Sequence, residues 1–350
     1  MRLPFARPMH TSRGTFAERI SVILELRDGA GRRGYGEAAP WPGFGTESEA
    51  AAHAALDAFS REVVGENLDA GDPSLEAHAC LGNAPAARAA ARGALWDLEA
   101  RIAGLPLAAF LAARVHETSG PVLRDVRVNG LLFERSPHAL RAEAARLREA
   151  GYRAAKMKLG AASLQEEVAL ARAARAGLGP DVSLRGDANG AWNEDTARIA
   201  LEMLADCGFE YVEQPVPPSE VGALARLRGR TPVRIAADES VAGEHGASQL
   251  IAAAAVDVMV LKPAMVGGAE RALEIAARAQ RAGVNVVFSH AFESAIGAWH
   301  ALACAAAWGD AGTAHGLETA GLFARDLADP VAAQGGVASV ARTPGLGIDL

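Results

Sequence analysis

Residues 153–187 read RAAKMKLGAASLQEEVALARAARAGLGPDVSLRGD, and this stretch decides the fold. Arg153–Lys158 is a short β-type run, Leu164–Gly177 has the Ala/Leu/Arg/Glu-rich pattern of a helix, and Val182–Asp187 is β-type again. Strand, helix and strand at this spacing make a parallel β/α unit. The beat continues outward on both sides. Strands are predicted over Val126–Leu132, Tyr211–Glu213, Val233–Asp238, Val256–Lys262 and Val284–Phe288, and helices over Pro137–Ala150, Glu194–Cys207 and Gly267–Ala282. Several helices run into glycine, at Gly151, Gly208 and Gly283, a common C-terminal signal. Seven or eight such units imply a closed α/β barrel of the TIM-like (β/α)7β kind. An open doubly wound sheet is disfavoured, because no G-x-G-x-x-G follows an early strand.

The first 120 residues follow another pattern. A β meander over Ile20–Leu26 and Arg33–Glu37 precedes helical segments around Glu47–Val64 and Ala86–Ala103, which makes an α+β module outside the barrel. After Phe323 the β/α beat is lost again. The expected division is an N-terminal domain over 1–120, completed by the tail 325–350, and a barrel domain over 121–324.

Half of the 350 residues are hydrophobic, enough for a large core, and the net charge of −7 leaves no basic footprint for nucleic acid or an anionic membrane. No apolar stretch with a small-residue cleavage site opens the chain, and the most apolar run, Leu250–Val256, is broken by Asp257 and too short to span a bilayer. Cys80, Cys207 and Cys304 form neither a disulfide framework nor a zinc spacing. A cytoplasmic enzyme of a small molecule is expected, with a homo-oligomer left open. Of 35 basic residues only three are lysine, Lys156, Lys158 and Lys262. A bias against lysine explains the scarcity but not the places where lysine survives. Lysine differs from arginine in being able to lose its proton. The three survivors are therefore catalytic candidates.

Their positions support this. Lys156 and Lys158 stand two apart on one strand and share a side, which in a barrel is the interior. The next strands end at Asp187, Glu213, Asp238 and Lys262. In a β/α barrel these ends meet at one mouth, where such enzymes place their sites. Three carboxylates gathered there call for a cation, and an all-oxygen set suits Mg²⁺, with Mn²⁺ as its substitute. A buried cluster of salt bridges accounts for any one of these residues but poorly for five at consecutive strand ends. A divalent ion facing lysines suggests proton abstraction beside a substrate carboxylate, with the enediolate charge held by the ion. Lys158 is the expected base and Lys156 a second cation beside it. Lys262, from the opposite wall, is either a second base or an ammonium that steadies the intermediate.

The segments AKMKLG (155–160), DANGAW (187–192), EQP (213–215), ADES (237–240) and LKPAMVGG (261–268) resemble the muconate-lactonising subgroup of the enolase superfamily. The resemblance extends to ALWDLEARIAGLPL (94–107) and PGLGI (344–348), so it covers essentially the whole chain. It implies that Asp187, Glu213 and Asp238 bind Mg²⁺, that Lys158 and Lys262 do acid/base work, and that the N-terminal domain caps the barrel mouth. It also implies that Asn189 and Glu239 support the ligands from behind. Within the subgroup the chain is most similar to the o-succinylbenzoate synthase family, through GYGEAAPWPGFGTES (34–48), VNGLL (128–132) and SHAFESAIG (289–297). That implies dehydration of 2-succinyl-6-hydroxy-2,4-cyclohexadiene-1-carboxylate in menaquinone biosynthesis. Dipeptide epimerases carry Asp-x-Asp after the last strand, where this chain has Gly316-Leu317-Glu318. The alternatives are N-succinylamino acid racemisation with both lysines as bases, and a silent acid-binding barrel, which would have lost a ligand or a lysine.

Phe44, Ser289, His290, Glu293 and Ser294 are the candidate substrate contacts, and Tyr35 and Arg13 candidate partners for a distal carboxylate. Trp192 lines the pocket or belongs to the core, the commoner fate of an isolated aromatic. Gly267-Gly268 is a tight turn more readily than a phosphate cradle. The serines have no His/Asp partner signal for nucleophilic catalysis.

Overall fold

The computed structural model describes residues 1–11, 14–68, 78–115, 117–242 and 245–350. Arg13 lies outside them. The chain opens with two antiparallel hairpins, β1 (Arg2–Thr11) with β2 (Gly14–Ile20) and β3 (Val22–Arg27) with β4 (Arg33–Ala38). The first hairpin was not foreseen, because its residues alternate weakly. Helices α1 (Glu49–Val63), α2 (Pro85–Ala103) and α3 (Leu107–Arg114) follow. Small residues let α2 lie almost against β4. A Cβ on Gly36 would fall 1.9 Å from the Ala90 carbonyl oxygen, and one on Gly34 2.2 Å from that of Ala94. Only glycine permits that approach. The far side of α2 packs on the barrel, where Arg92 pairs with Glu270, so the helix is buried nearly all round.

The expected first barrel strand is split into β5 (Asp125–Arg127) and β6 (Gly130–Leu132). The alternation then runs α4 (Pro137–Glu149), β7 (Ala154–Lys158), α5 (Leu164–Leu178), β8 (Ser183–Asp187), α6 (Glu194–Met203) and β9 (Phe209–Glu213). It continues through α7 (Val221–Leu227), β10 (Ile235–Ala237), α8 (Gly246–Ala252), β11 (Val258–Leu261), α9 (Pro263–Val266), α10 (Ala269–Arg281), β12 (Asn285–Phe288) and α11 (Ala295–Trp308). Ser163 and Glu166 form a capping box that starts α5. Gly151, Gly208 and Gly283 follow helical turns with φ of 91°, 68° and 72°, the left-handed stop expected of them.

Strands β6 to β12 form one parallel sheet in sequence order. Bridges from His315 to Val128 and from Gly316 to Ser289 join its two edges in place of an eighth strand, completing the TIM-like barrel with its N-terminal α+β cap. The tail touches both parts. Its β13 (Val337–Ser339) pairs with β5, Phe323 bridges Phe5, and the Leu346 and Tyr35 amides both donate to buried Asp97. Among the described residues no helix is long and apolar enough to cross a membrane.

Candidate active site

Parallel register places the chemistry. Lys158 on β7 lies beside Asp187 on β8, which lies beside Glu213 on β9. Alternation turns Lys156 and Lys158 inward together. Lys156 Nζ donates to Glu213 Oε1 at 2.7 Å and lies 2.9 Å from Asp187 Oδ2. Lys158 Nζ donates to Asp187 Oδ2 and Asn189 Oδ1, both at 2.7 Å. Lys262, just after β11, reaches Asp238 Oδ2 at 2.6 Å, and its ammonium sits 4.1 Å from the centroid of the Phe44 ring. β7 and β11 stand four strands apart in the ring, so Lys158 and Lys262 face each other across the mouth.

One cavity of about 120 Å³ takes in all six of these groups, together with Asn189, Glu239, Phe44, Ser289 and His290. Asn189 Nδ2 donates to Glu239 Oε1 at 3.2 Å, so the two groups expected behind the carboxylates do touch. Ser289 donates to the Gly316 carbonyl, and His290 Nδ1 accepts from the Phe292 amide. Burial, then Lys262 and Lys156, press His290 down to about 3, so the imidazole is neutral.

Burial pushes Glu213 up to about 8, with Asp187 adding to the effect and Lys156 opposing it. Burial also works against ionisation of Asp187, yet Lys156 and Lys158 outweigh it and hold that carboxyl well below the usual range. Lys262 is likewise held above its ordinary value against burial, by Asp238 and Glu239. Three acids at one mouth, with no nitrogen or sulfur donor among them, suit a hard divalent cation. Lysines supply the positive charge in the conformations seen. Among the described residues, no three His, Cys, Asp or Glu side chains are drawn together as an ion would hold them. The three carboxylates expected at one mouth do share one cavity, where each also meets an ammonium.

Two expected contacts lie elsewhere. Ser294 is fully buried, caps α11 through the Ile296 amide and donates to Glu37 Oε2, away from the cavity wall. Glu293 is 2% exposed and accepts from the Ala291 amide; burial, then Glu37, raises it to about 7. Their segment turns into α11 directly after the wall, which carries them behind it. Tyr35, on β4, is buried in the core with the Arg101 guanidinium near its ring, and Trp192 also belongs to the core. Trp41, Tyr211, Phe292 and Glu318 line the cavity unforeseen. Gln214 was quoted within EQP without a role. Its Oε1 accepts from the Asp238 and Ser240 amides, both at 3.1 Å, so it sets the turn that aims Asp238.

Barrel, cap and opposed lysines define a class. Residues 139–350 match the enolase C-terminal domain-like family, and residues 2–112 match the mandelate racemase / muconate lactonizing enzyme N-terminal domain. The chain belongs to the enolase superfamily, in its muconate-lactonizing subgroup of acid/base enzymes. It is 31% identical to a chloromuconate cycloisomerase of Delftia acidovorans over 86% of this chain and 80% of that one. Identity to an N-succinyl-L-Arg/Lys racemase of Bacillus cereus is 27%, over 85% and 79% of the two chains. Against an o-succinylbenzoate synthase of Mycobacterium tuberculosis it is 41%, over 55% of this chain and 58% of that one. A dipeptide epimerase from Enterococcus faecalis, solved with Mg and the dipeptide L-Leu-L-Tyr, superposes with a TM-score of 0.87 at 26% identity, covering 100% of this chain and 97% of that chain. The family thus holds both lyases and racemases or epimerases.

Proposed function

We propose that this chain is an o-succinylbenzoate synthase, which removes water from 2-succinyl-6-hydroxy-2,4-cyclohexadiene-1-carboxylate. The observation that carries the proposal is the Lys262 ammonium lying 4.1 Å from the centroid of an aromatic ring inside the cavity. A cation so placed accepts the face of an unsaturated ring, and the substrate ring becomes aromatic as it reacts. Around it Trp41, Phe44, Leu131, Phe133, Val260 and Phe292 offer an apolar wall for that ring.

Asp187, Glu213 and Asp238 would hold a Mg²⁺ ion, which would bind the ring carboxylate and stabilise the charge that builds there. Lys158 takes the proton from the carbon bearing that carboxylate. For this it must be neutral, so its ion pair with Asp187 has to open. The C–H electron pair enters the ring, and the neighbouring C–O bond breaks. The proton now on Lys158 passes to the departing hydroxyl on the same face, giving water and the aromatic acid. Lys262 keeps its proton and lies against the other face.

The opposed lysines also favour a second reading, racemisation of N-succinylamino acids, in which each lysine serves one face. The two are separated by assaying the chain with Mg²⁺ for loss of the cyclohexadiene absorbance and for α-deuterium exchange into N-succinylamino acids. Dehydration with slower exchange supports the synthase; exchange without dehydration supports the racemase; neither sinks both. Lys158→Ala is expected to lose roughly 10²- to 10⁴-fold in turnover. It should keep its circular dichroism, since Lys156 still pairs with Asp187.

A further inference from the structure

Two adjoining parts of the cavity wall come from different domains, and the Trp41 and Phe292 rings meet where they join, with centroids 5.9 Å apart. Trp41 and Phe44 belong to the cap, and His290 and Phe292 to the loop after β12. Beside the bonds from Ser294 and Gly297 to Glu37, one side chain on β2 bonds to both loops. Arg19 is 6% exposed, and its guanidinium donates to the Ala39 and Pro40 carbonyls, at 2.9 and 3.0 Å, where the cap loop begins. The same group donates to the Ala291 and Phe292 carbonyls, at 3.1 and 3.3 Å, in the barrel loop. It also lies 4.6 Å from the centroid of the Trp41 ring. A planar fork of five donors can serve two chain segments and stack on an indole; a lysine ammonium, with three donors and no plane, cannot do both.

The barrel loop needs such a hold. Phe292 has φ of 60°, a left-handed conformation that a bulky residue adopts only where its surroundings enforce it. Two buried acids, Glu37 and Glu293, lie near the guanidinium. Arg19 itself does not line the cavity.

We propose that Arg19 is a positioning residue of the active site, locking the loop of Trp41 and Phe44 to the loop of His290 and Phe292. It thereby sets the aromatic wall that presses substrate toward Lys262. This rests on the cavity being where turnover occurs.

The test compares wild type, Arg19→Lys and Arg19→Gln, each also made with Trp41→Phe. Acrylamide quenching of the Trp41 emission, taken as the difference between paired proteins, needs no substrate. It should rise in both Arg19 variants. In Arg19→Lys, at a temperature where circular dichroism shows full folding, kcat/KM should fall roughly 10- to 100-fold, carried mainly by KM. A lowered Tm with unchanged quenching and unchanged KM would overturn the proposal, because Arg19 would then only brace the fold. Failure of both variants to fold would overturn it for the same reason. If the wild type turns over neither candidate substrate, the functional proposal above fails, and quenching alone decides the role of Arg19.

Discussion

Lys262→Arg separates the two roles open to Lys262. Alanine would be a poor probe, since stripping one partner from the buried Lys262–Asp238 pair costs about 3–5 kcal/mol of stability. Arginine keeps the charge and can still pair with Asp238, but it does not deprotonate and so cannot be a base. If Lys262 acts as a cation against the substrate ring, the contact at risk is of the kind it already makes with Phe44 at 4.1 Å. Such contacts are worth about 0.5–2 kcal/mol, or roughly 2- to 30-fold in rate. If Lys262 is a base, losing it costs roughly 10²- to 10⁴-fold. Dehydration followed in the ultraviolet should therefore survive in Lys262→Arg with a loss of at most about 30-fold. Deuterium exchange into one enantiomer of an N-succinylamino acid should collapse. Dehydration that falls as far as in Lys158→Ala would refute the cationic role.

Mg²⁺ at about 100 times its Kd should stabilise the protein by roughly 2.7 kcal/mol in thermal denaturation, and Glu213→Gln should abolish most of that gain. An equal gain in the variant would remove Glu213 from the ligand set. Glu293, raised from 4.5 to about 7, remains neutral in the folded chain between those values while the unfolded chain ionises. Its contribution to stability is complete below about 4.5 and lost as pH rises through about 7, by up to roughly 3 kcal/mol. Tm should thus fall less between pH 5 and 8 in Glu293→Gln than in wild type, and parallel curves would refute this. Gly36→Ala drives a methyl to 1.9 Å from a backbone oxygen of α2, so Tm should drop by the equivalent of about 1–3 kcal/mol or more. An unchanged Tm would mean that β4 and α2 separate easily.

Much of this site is written in one dimension. Asp187, Glu213, Asp238 and Lys262 stand at or just after the ends of successive short strands, and a parallel sheet in sequence order brings such ends to one rim. Lys156 and Lys158 point the same way because a strand repeats every two residues, whatever it packs against. Strand period, helix period and glycine stops are local properties, so the barrel could be read without coordinates. Tertiary structure alone decided the pairing: which ammonium meets which carboxylate, that Phe44 comes down on Lys262, and that Ser294 and Glu293 turn behind the wall. Arg19 and Gln214 were illegible for the same reason. Neither breaks a pattern, and each acquires its task from carbonyls or amides that belong to distant segments. Periodicity says which side of its own element a residue faces; what stands opposite depends on how the elements are folded together.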